Sequence, residues 1–425
     1  MSRTIEKQSA TELGENEDQA AVEGKSLYAV GETPPLGHVP ENMQAWVIRR
    51  DRHGAPEQAM QQEVVPVPDI DVDEVLILVK AAGVNYNGVW AALGLPLSVL
   101  DVHGEDYHIA GSDASGIVWQ VGRRVTNFKV GDEVVVHCNQ DNGDDVDCNG
   151  GDPMNSPSQR IWGYETADGA FAQFTKVQAR QLMPRPQHLS WAESACYTLT
   201  LATAYRMLLG HQPHTAGPGK NVLVWGASGG LGSMAIQLCK LVGANAIGVI
   251  SDESKRDYVM GLGAAGVINR RDFDCWGALP PLEDAEGYKS YLRQVRKFGA
   301  AIWAITGKGV DVDMVFEHPG EQTFPVSTYV VKRGGMVVFC GATTGYNLTM
   351  DARFMWMRQK RVQGSHFATL KQASEANQLV AEGRLNPCLS QTFGWDQIPQ
   401  AHTVMADGQH LPGNMAVLIG ADGET

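Results

Sequence analysis

Residues 221–232 read NVLVWGASGGLG, a short apolar run that breaks into glycines and then continues as a helical pattern. The run 222–225 predicts a strand that is buried on both faces, as in a parallel sheet. The glycines predict a tight turn, and the amides that open the next helix can hold a pyrophosphate. The stretch therefore predicts a dinucleotide site, whose members are Gly226, Ser228, Gly229, Gly230, Leu231 and Gly232.

The same letters allow two other interpretations. Gly226, Ser228 and Gly230 have the Gly-x-Ser-x-Gly spacing of the nucleophile elbow in α/β-hydrolases, where the serine attacks an ester. A plain turn between a strand and a helix, without a ligand, is the third interpretation. The residues after the glycines favour the dinucleotide, because a second apolar run at 246–250 completes the pattern of such a fold.

Polar residues follow this second strand at 251–256, where the ribose of a dinucleotide would lie. NAD enzymes usually place a carboxylate at this strand tip, whereas this chain has Ser251 followed by two cations. A hydroxyl and cations suit a 2′-phosphate, so we predict NADPH, bound by Ser251, Lys255 and Arg270. The alternative is a solvated helix start, in which Asp252 and Glu253 are the acidic residues of the first turn.

The 425-residue chain carries 34 Lys and Arg residues against 48 Asp and Glu residues. The length predicts two domains, and the acidic balance argues against a general nucleic-acid binder. No apolar run approaches the roughly 20 residues of a membrane helix, and MSRTIEKQSATELGENEDQ at the start has no apolar signal-peptide core. We therefore expect a cytoplasmic protein. The seven scattered cysteines form no CxxC pair, which predicts reduced thiols without disulfides or a metal site.

Residues 1–42 are polar and acidic, and they predict an extension that is partly disordered or lies over a neighbour. Short strand patterns follow at 44–49, 74–80, 116–121, 133–137 and 170–177, which predicts a β-rich domain. A capping box at Ser190 and Glu193 opens a predicted long helix that ends near residue 209. The tail at 414–420 predicts a strand that returns to the β-rich domain.

Two later strand patterns, 312–316 and 335–340, belong to the predicted dinucleotide fold. The carboxyl ends of parallel strands meet at one edge of the sheet, and a nicotinamide would lie there. We therefore add Glu317, His318, Cys340 and Gly341 to the predicted cofactor site.

A β-rich first domain, a GASGGLG turn and a returning tail resemble the medium-chain dehydrogenase/reductase superfamily over residues 43–425. The zinc branch would have a cysteine at Asn85, a His-Glu pair at Ser112 and Asp113, and a lobe with four cysteines. These features are missing, so the chain resembles the zinc-free quinone and enoyl-thioester reductases. The resemblance implies an α/β fold with a Rossmann-type doubly wound parallel sheet in 196–354. A β-rich GroES-like barrel domain would span 43–195, be completed by 355–425, and follow the extension at 1–42.

Five longer phrases narrow the resemblance: VNYNGVW, RIWGYETADGAFAQF, LVWGASGGLGS, DVDMVFEHPGEQTFPVSTYV and MRQKRVQGSHF. Together they resemble the crotonyl-CoA carboxylase/reductases. That family binds NADPH and an enoyl-CoA, converts crotonyl-CoA and CO2 to ethylmalonyl-CoA, and forms homotetramers built as dimers of dimers. The resemblance implies the same activity and assembly here.

A carboxylating reductase must hold CO2 over the α-carbon and exclude water, since the enolate would otherwise take up a proton. CO2 has no net charge, so neutral donors in a dry pocket suit it. The family pattern implies Asn85, His366, the backbone amide of Tyr164, and Glu165, which organises the site through water. Asn87 is an alternative to Asn85. Each residue also has a plain structural interpretation: a turn cap for Asn85, a core histidine for His366 and a paired buried acid for Glu165.

The phosphates of CoA need cations, and the family pattern implies Arg333 and Arg353. The alternative for this basic segment is a solvated face. Three other functions stay open: a non-carboxylating enoyl-CoA or acrylyl-CoA reductase, an α/β-hydrolase that uses Ser228, and a protein that binds NADPH only as a structural ligand. The length of the acyl chain is open as well.

Overall fold

The computed structural model describes residues 24–421. The strands, in chain order, are β1 (Asn42–Ile48), β2 (Met60–Pro66), β3 (Glu74–Val84), β4 (His108–Ile109), β5 (Ala114–Val121), β6 (Glu133–Val136), β7 (Asn139–Gln140), β8 (Arg160–Ile161), β9 (Phe174–Gln178), β10 (Leu182–Pro184), β11 (Asn221–Val224), β12 (Asn245–Ile250), β13 (Gly266–Asn269), β14 (Val312–Glu317), β15 (Val331–Phe339), β16 (Arg361–Gly364), β17 (Leu389–Phe393) and β18 (Asn414–Leu418). The α-helices are α1 (Pro56–Ala59), α2 (Tyr86–Leu93), α3 (Val99–His103), α4 (Trp191–Ala195), α5 (Thr198–Leu209), α6 (Gly230–Leu241), α7 (Arg256–Gly261), α8 (Ala285–Thr306), α9 (Phe324–Val330), α10 (Ala352–Met357), α11 (Leu370–Ala381) and α12 (Ile398–Ala406).

Six strands form a parallel sheet in the order β13-β12-β11-β14-β15-β16. The first of them in the chain is β11, which the apolar run at 222–225 predicts. This order is that of the Rossmann doubly wound fold, so the predicted α/β fold class is confirmed. The chain moves outward in opposite directions from β11 and β14, which leaves a crevice at the carboxyl ends of these two strands.

The central strand β11 is buried on both faces, as predicted. Val222 and Val224 lie in a core with the apolar residues of α5 and α6. Leu223 and Trp225 lie in a second core, with Phe298 of α8. Successive side chains of a strand point to opposite faces, so the uninterrupted apolar run fills both cores.

The β-rich part contains a seven-stranded sheet with the path β10-β6-β5-β3-β18-β17, in which β9 also pairs with β3. A three-stranded sheet, β2-β1-β4, packs into the same core. The tail strand β18 is antiparallel to β3 and parallel to β17. The predicted return of the tail to the first domain is therefore confirmed.

The helix predicted from Ser190 to residue 209 is wrong as a single element. The capping box is present, since Ser190 and Glu193 exchange their hydrogen bonds, but α4 ends at Ala195. A new helix, α5, begins at Thr198, where the amide of Leu199 donates to the carboxylate of Asp113 at 2.7 Å. A distant residue thus supplies the second helix start, which local sequence does not reveal.

Other boundaries also differ from the prediction. The strand expected at 170–177 is only the later β9. Residues 24–41 of the expected extension pack on their own chain, since the Trp119 indole donates to the His38 carbonyl at 2.7 Å and Tyr28 is buried. Residues 1–23 lie outside the described residues. The edge strand β16 lies beyond residue 354, the predicted end of the cofactor domain, and the domain division otherwise remains a prediction.

Within residues 24–421, every helix is too short or too polar to cross a bilayer.

Candidate active site

The glycine turn between β11 and α6 is shaped by close backbone contacts. Gly226 has a φ of +53°, and a Cβ there would lie 2.7 Å from the ring of His318. A Cβ on Gly232 would lie 2.3 Å from the Gly226 carbonyl oxygen. Only glycine fits both positions, so the turn is tight and the amides at the start of α6 face outward from the sheet edge.

A cavity of about 470 Å³ lies in front of this turn, at the carboxyl edge of β11, β14 and β15. It brings the turn together with α2, α5 and the segment before β18. The predicted residues in its wall are Asn85, Asn87, Gly229, Gly230, Leu231, Gly232, His318, Cys340 and Gly341. The cofactor turn and the two asparagines therefore share one cavity, which the sequence pattern alone did not show.

Both asparagines are buried at the start of α2 and bind the residues just before β5. The Asn85 amide donates from Nδ2 to Oδ2 of Asp113 at 2.8 Å. The Asn87 amide donates to the hydroxyl of Ser112 at 2.7 Å. Ser112 and Asp113, which the resemblance sets against the His-Glu pair of the zinc branch, thus form a hydrogen-bonded polar layer with the two asparagines.

Asp113 is fully buried and carries most of this layer. Its other oxygen, Oδ1, accepts from the Leu199 amide and from the Thr198 hydroxyl at the start of α5. Burial raises the pKa of Asp113 to about 7, although the hydrogen bonds from Thr198, Asn85 and Leu199 favour the charged form. Its negative charge also lies at the favourable end of the α5 dipole.

His366 lines a second cavity of about 600 Å³, which shares Trp90, Cys340 and Gly341 with the first. The ring is exposed to this cavity and packs edge-on against Phe367 at 4.6 Å. The enclosing walls and the charge of Arg206 lower the pKa of His366 to about 4. The ring is therefore neutral at pH 7 and can donate one N–H. The structure places Asn85 and His366 in neighbouring compartments.

Tyr164 and Glu165 are half-buried, and neither lines one of these two cavities. The Tyr164 amide, predicted as a donor to CO2, donates instead to the Ile161 carbonyl at 3.1 Å. The Glu165 carboxylate accepts from the Ile161 amide at 2.8 Å, and burial raises its pKa. The Tyr164 amide is thus held in a tight turn, and its contact with CO2 stays a prediction.

Glu317 is predicted to bind the cofactor, but its carboxylate is occupied by the loop that follows it. The side chain is fully buried, accepts from the Gly320 amide at 3.1 Å, and also binds the hydroxyls of Thr323 and Ser327. Burial raises the pKa of Glu317 to about 7. The carboxylate thus orders the loop after β14. His318 does reach the first cavity, while its Nε2–H donates to the Trp225 carbonyl at 3.0 Å.

The predicted 2′-phosphate corner lies at the end of β12. Ser251 is exposed there and Lys255 is half-buried. The carboxylate of Asp252, which an NAD enzyme would aim at the ribose, accepts from Ser254 and forms an ion pair with Arg271 at 2.9 Å. Arg270 donates to Gln322 at 2.8 Å and lies over the Trp276 ring. Asp252 is thus already neutralised, which favours a phosphate over ribose hydroxyls.

The structure does not bring the two predicted CoA arginines to the cavities. Arg333 lies near the start of β15, at the amino edge of the sheet, about 20 Å from Cys340 at the strand's other end. Arg353 is exposed and donates to Asp351 at 2.6 Å and to the Tyr288 hydroxyl at 3.1 Å. Strand direction places Arg333 at the edge away from the cofactor turn, and its contact with CoA stays a prediction.

The hydrolase interpretation finds no support in the site. Within residues 24–421, the Ser228 hydroxyl has no hydrogen bond to a histidine, whereas its carbonyl accepts from the Gly413 amide at 2.9 Å. The same residues contain no group of three or more His, Cys, Asp or Glu side chains that could hold a metal ion.

Several residues in the first cavity were missed by sequence reasoning. They come from the inner face of α5 and from the segments around Phe367 and Asn414, and they are Thr200, Thr203, Phe367, His410 and Asn414. Thr203 is notable because its buried Oγ1 has no partner in the described part of the chain. The sequence signal for them was that Thr200 and Thr203 are three residues apart and so share one face of α5. The apolar residues between them predict a core helix, which hid this polar face.

Comparisons with known proteins agree with this architecture. The family model described as zinc-binding dehydrogenase matches residues 230–382, and the alcohol dehydrogenase GroES-like domain matches residues 71–187. The first of these contains α6 and the later strands of the parallel sheet. The second contains most of the β-rich part.

Individual relatives match over nearly the whole chain. A crotonyl-CoA carboxylase/reductase from Cereibacter sphaeroides is 70% identical over 93% of this chain and 92% of its own length. A solved structure of a crotonyl-CoA carboxylase/reductase is 69% identical, with a TM-score of 0.91 over 94% of each chain. The structure of crotonyl-CoA carboxylase/reductase AntE in complex with NADP is 49% identical, with a TM-score of 0.89 over 93% of this chain and 99% of that chain.

Proposed function

Because the chain belongs to the crotonyl-CoA carboxylase/reductases of the medium-chain dehydrogenase/reductase superfamily, we propose that it is an NADPH-dependent reductive carboxylase of an enoyl-CoA. Its substrates are then crotonyl-CoA or a similar thioester and CO2, and its product with crotonyl-CoA is ethylmalonyl-CoA. The observation that carries the proposal is the cavity in which the glycine turn and the two buried asparagines meet. Identity of 70% over nearly the full chain supports the same activity.

The first cavity fits a nicotinamide dinucleotide. A Cβ on Gly229 would meet nothing closer than the Gly226 carbonyl oxygen at 3.5 Å, so open space for a phosphate lies in front of it. The unpartnered Thr203 hydroxyl supplies a buried polar group in the same wall. We propose Ser251, Lys255 and Arg270 near the 2′-phosphate. When bound, NADPH supplies the hydride that adds to the β-carbon of the enoyl thioester.

The protein's own task is to direct the enolate of the thioester toward CO2. The α-carbon forms a bond to the carbon of CO2, and one C=O electron pair moves onto oxygen to give the carboxylate. Asn85 and His366 are neutral at pH 7, so they offer N–H donors to CO2 oxygens without attracting a water shell as an ion would. Asn87 is the alternative donor. The buried, hydrogen-bonded layer around Asp113 keeps this end of the cavity short of water.

Three further residues stay in the proposal on the family pattern. Tyr164 and Glu165 belong to the phrase RIWGYETADGAFAQF, and we propose that they serve the CO2 site, Tyr164 through its backbone amide and Glu165 through water. Arg353 is proposed to contact a phosphate of CoA after its ion pair with Asp351 opens. The homotetramer built as a dimer of dimers and the part in an ethylmalonyl-CoA pathway rest on the same family membership. We propose a cytoplasmic location on the same ground. The zinc-free character rests on Asn85, Ser112 and Asp113 standing where zinc ligands would be.

One assay tests the proposed function. NADPH absorbance is followed with crotonyl-CoA in the presence and absence of bicarbonate, and the product is weighed by mass spectrometry. A product heavier by CO2 is expected with bicarbonate. Reduction alone under both conditions would identify a non-carboxylating reductase, and cofactor binding without turnover would leave NADPH a structural ligand.

The assignment of the CO2 donor is tested by Asn85→Ala beside Asn87→Ala. We expect Asn85→Ala to lower the ratio of carboxylated to reduced product by at least about tenfold, because one donor to CO2 is lost while hydride delivery is not. NADPH oxidation should persist in both variants. A large fall in the ratio with Asn87→Ala only would transfer the role to Asn87.

A further inference from the structure

Asp113 links the Asn85 side chain to the start of α5. It is fully buried, and each of its carboxylate oxygens has its own set of donors. Oδ2 accepts from Nδ2 of Asn85 at 2.8 Å, while Oδ1 accepts from the Leu199 amide at 2.7 Å and from Thr198. In its charged form the carboxylate therefore accepts hydrogen bonds on two sides and donates none.

This pattern fixes which end of the Asn85 amide faces Asp113. A carboxylate attracts the NH2 end and repels the carbonyl oxygen, so the amide has one orientation. The second N–H of Nδ2 and the carbonyl Oδ1 are left for the cavity, which Asn85 lines. A hydrogen bond to a charged acceptor is strong enough to keep the Asn85 amide in this orientation when the cavity is empty.

We propose that Asp113 is a positioning residue for carboxylation, which sets the Asn85 amide so that an N–H points at CO2. This inference rests on the proposed function and adds to it a residue that does not itself touch the substrate. The alternative is a purely structural role, in which Asp113 only caps α5. Loss of Asp113 would then lower the stability of the fold and all activities together.

The substitution Asp113→Asn separates the two roles, because it keeps the shape and leaves only one acceptor oxygen. The Leu199 N–H is fixed on the main chain, so that oxygen must stay with Leu199. Thr198 can still donate to the Val136 carbonyl, at 2.9 Å. The new NH2 group then faces Asn85, and Asn85 must turn its own oxygen toward it. The helix start survives, whereas the donor to CO2 moves.

The experiment measures the ratio of carboxylated to reduced product at fixed bicarbonate, with the melting temperature and the KM for NADPH as controls. We expect Asp113→Asn to lower the ratio about tenfold with the two controls near wild type. In an Asn85→Ala background the same substitution should have no further effect, because a positioning residue acts only through its partner. If Asp113→Asn lowers the product ratio in the Asn85→Ala background as much as it does in the wild type, the proposal is overturned.

Ser112→Ala is the matched comparison, since it removes the partner of Asn87 and leaves the Asn85 bond intact. Its product ratio should stay within about twofold of wild type. If the product ratio falls with Ser112→Ala and does not fall with Asp113→Asn, the positioning role belongs to the Ser112–Asn87 pair and the inference is refuted. If Asp113→Asn fails to fold, Thr198→Val removes a hydrogen bond that favours the charged form of Asp113. More of the acid is then protonated and can hold the Asn85 amide by its oxygen, so the ratio should fall by about threefold.

The failure of the inference is distinct from failure of the proposed function. A wild-type enzyme that never adds CO2 refutes the function before any variant is made. A wild-type enzyme that carboxylates, with an unchanged ratio in both Asp113→Asn and Thr198→Val, refutes only the role of Asp113.

Discussion

Two glycines at the start of α6 have different reasons to be glycine. A Cβ on Gly229 would meet no protein atom within 3.4 Å, and this residue lines the cofactor cavity. A Cβ on Gly232 would lie 2.3 Å from the Gly226 carbonyl oxygen and 2.7 Å from the Ala227 Cα, which are main-chain atoms that cannot move aside easily. Gly229 therefore leaves room for a ligand, and Gly232 leaves room for the chain itself.

Alanine at each position should separate binding from stability. Gly229→Ala is expected to raise the KM for NADPH by about tenfold with a near-normal melting temperature, because the methyl group fills the phosphate space. Gly232→Ala is expected to lower the free energy of unfolding by about 1–3 kcal/mol, because the clash is with backbone. Thermal unfolding without cofactor and steady-state kinetics measure both. Equal loss of stability in the two variants would contradict this division.

At the scale of elements, one ion pair ties the acidic segment between β7 and β8 to α5. The guanidinium of Arg206 donates to both carboxylate oxygens of Asp152, at 2.6 and 3.2 Å, and to Gln372 of α11 at 3.3 Å. Arg206 is buried, while its partner is partly exposed. The pair thus joins a loop and two helices beside the cavity that contains His366.

Removing this carboxylate should loosen the loop. Asp152→Asn leaves a buried guanidinium with a weakened partner, so we expect the free energy of unfolding to fall by about 1–3 kcal/mol. Amide hydrogen exchange in residues 141–160 should become faster. Asp144→Asn changes an exposed acid of the same loop and serves as the control. Unchanged exchange in Asp152→Asn would show that the ion pair does not hold the loop.

At the scale of the whole molecule, several histidines of residues 24–421 are kept neutral: His108, His137 and His402 are fully buried, and His318 is half-buried. Burial lowers the pKa of His108 to about 3 and the pKa of His137, His318 and His402 to about 4. The unfolded chain takes up these protons below a pH of about 6.5, so their contribution to stability is present above that pH and is lost on acidification. Two buried acids with pKa raised to about 7, Asp113 and Glu317, act in the opposite direction.

His366, whose pKa is also lowered to about 4, adds to these histidines, so five histidines stand against two acids. Near pH 5.5 the unfolded state then binds between about two and three more protons than the folded state, so the free energy of unfolding should fall by about 3–4 kcal/mol per pH unit. His402 packs against Phe171 and has Nδ1 at 2.7 Å from the Ile398 carbonyl. His402→Gln should reduce this slope by about 1.4 kcal/mol per pH unit. Denaturant titrations at several pH values measure it, and an unchanged slope would contradict the argument.

Local patterns predicted the cofactor fold well. The apolar run before the glycines, the turn itself and the later strand patterns at 312–316 and 335–340 were all confirmed as parts of one parallel sheet. Each of these signals lies within a few residues, because strand burial and turn geometry depend on adjacent positions. The prediction of one long helix from Ser190 was wrong because its break depends on a distant residue. The carboxylate that caps α5 comes from Asp113, 86 residues away from Leu199.

The sequence by itself determined the dinucleotide fold and, through its longer phrases, the family. It also pointed to asparagines and glycines that line the first cavity, since residue type carries their chemistry. Only the tertiary structure decided that the Glu317 carboxylate binds its own loop, that Arg333 lies at the edge of the sheet opposite the glycine turn, and that Asp113 binds Asn85. Burial and hydrogen-bond partners depend on distance in space, and folding places residues far apart in sequence within about 3 Å of one another.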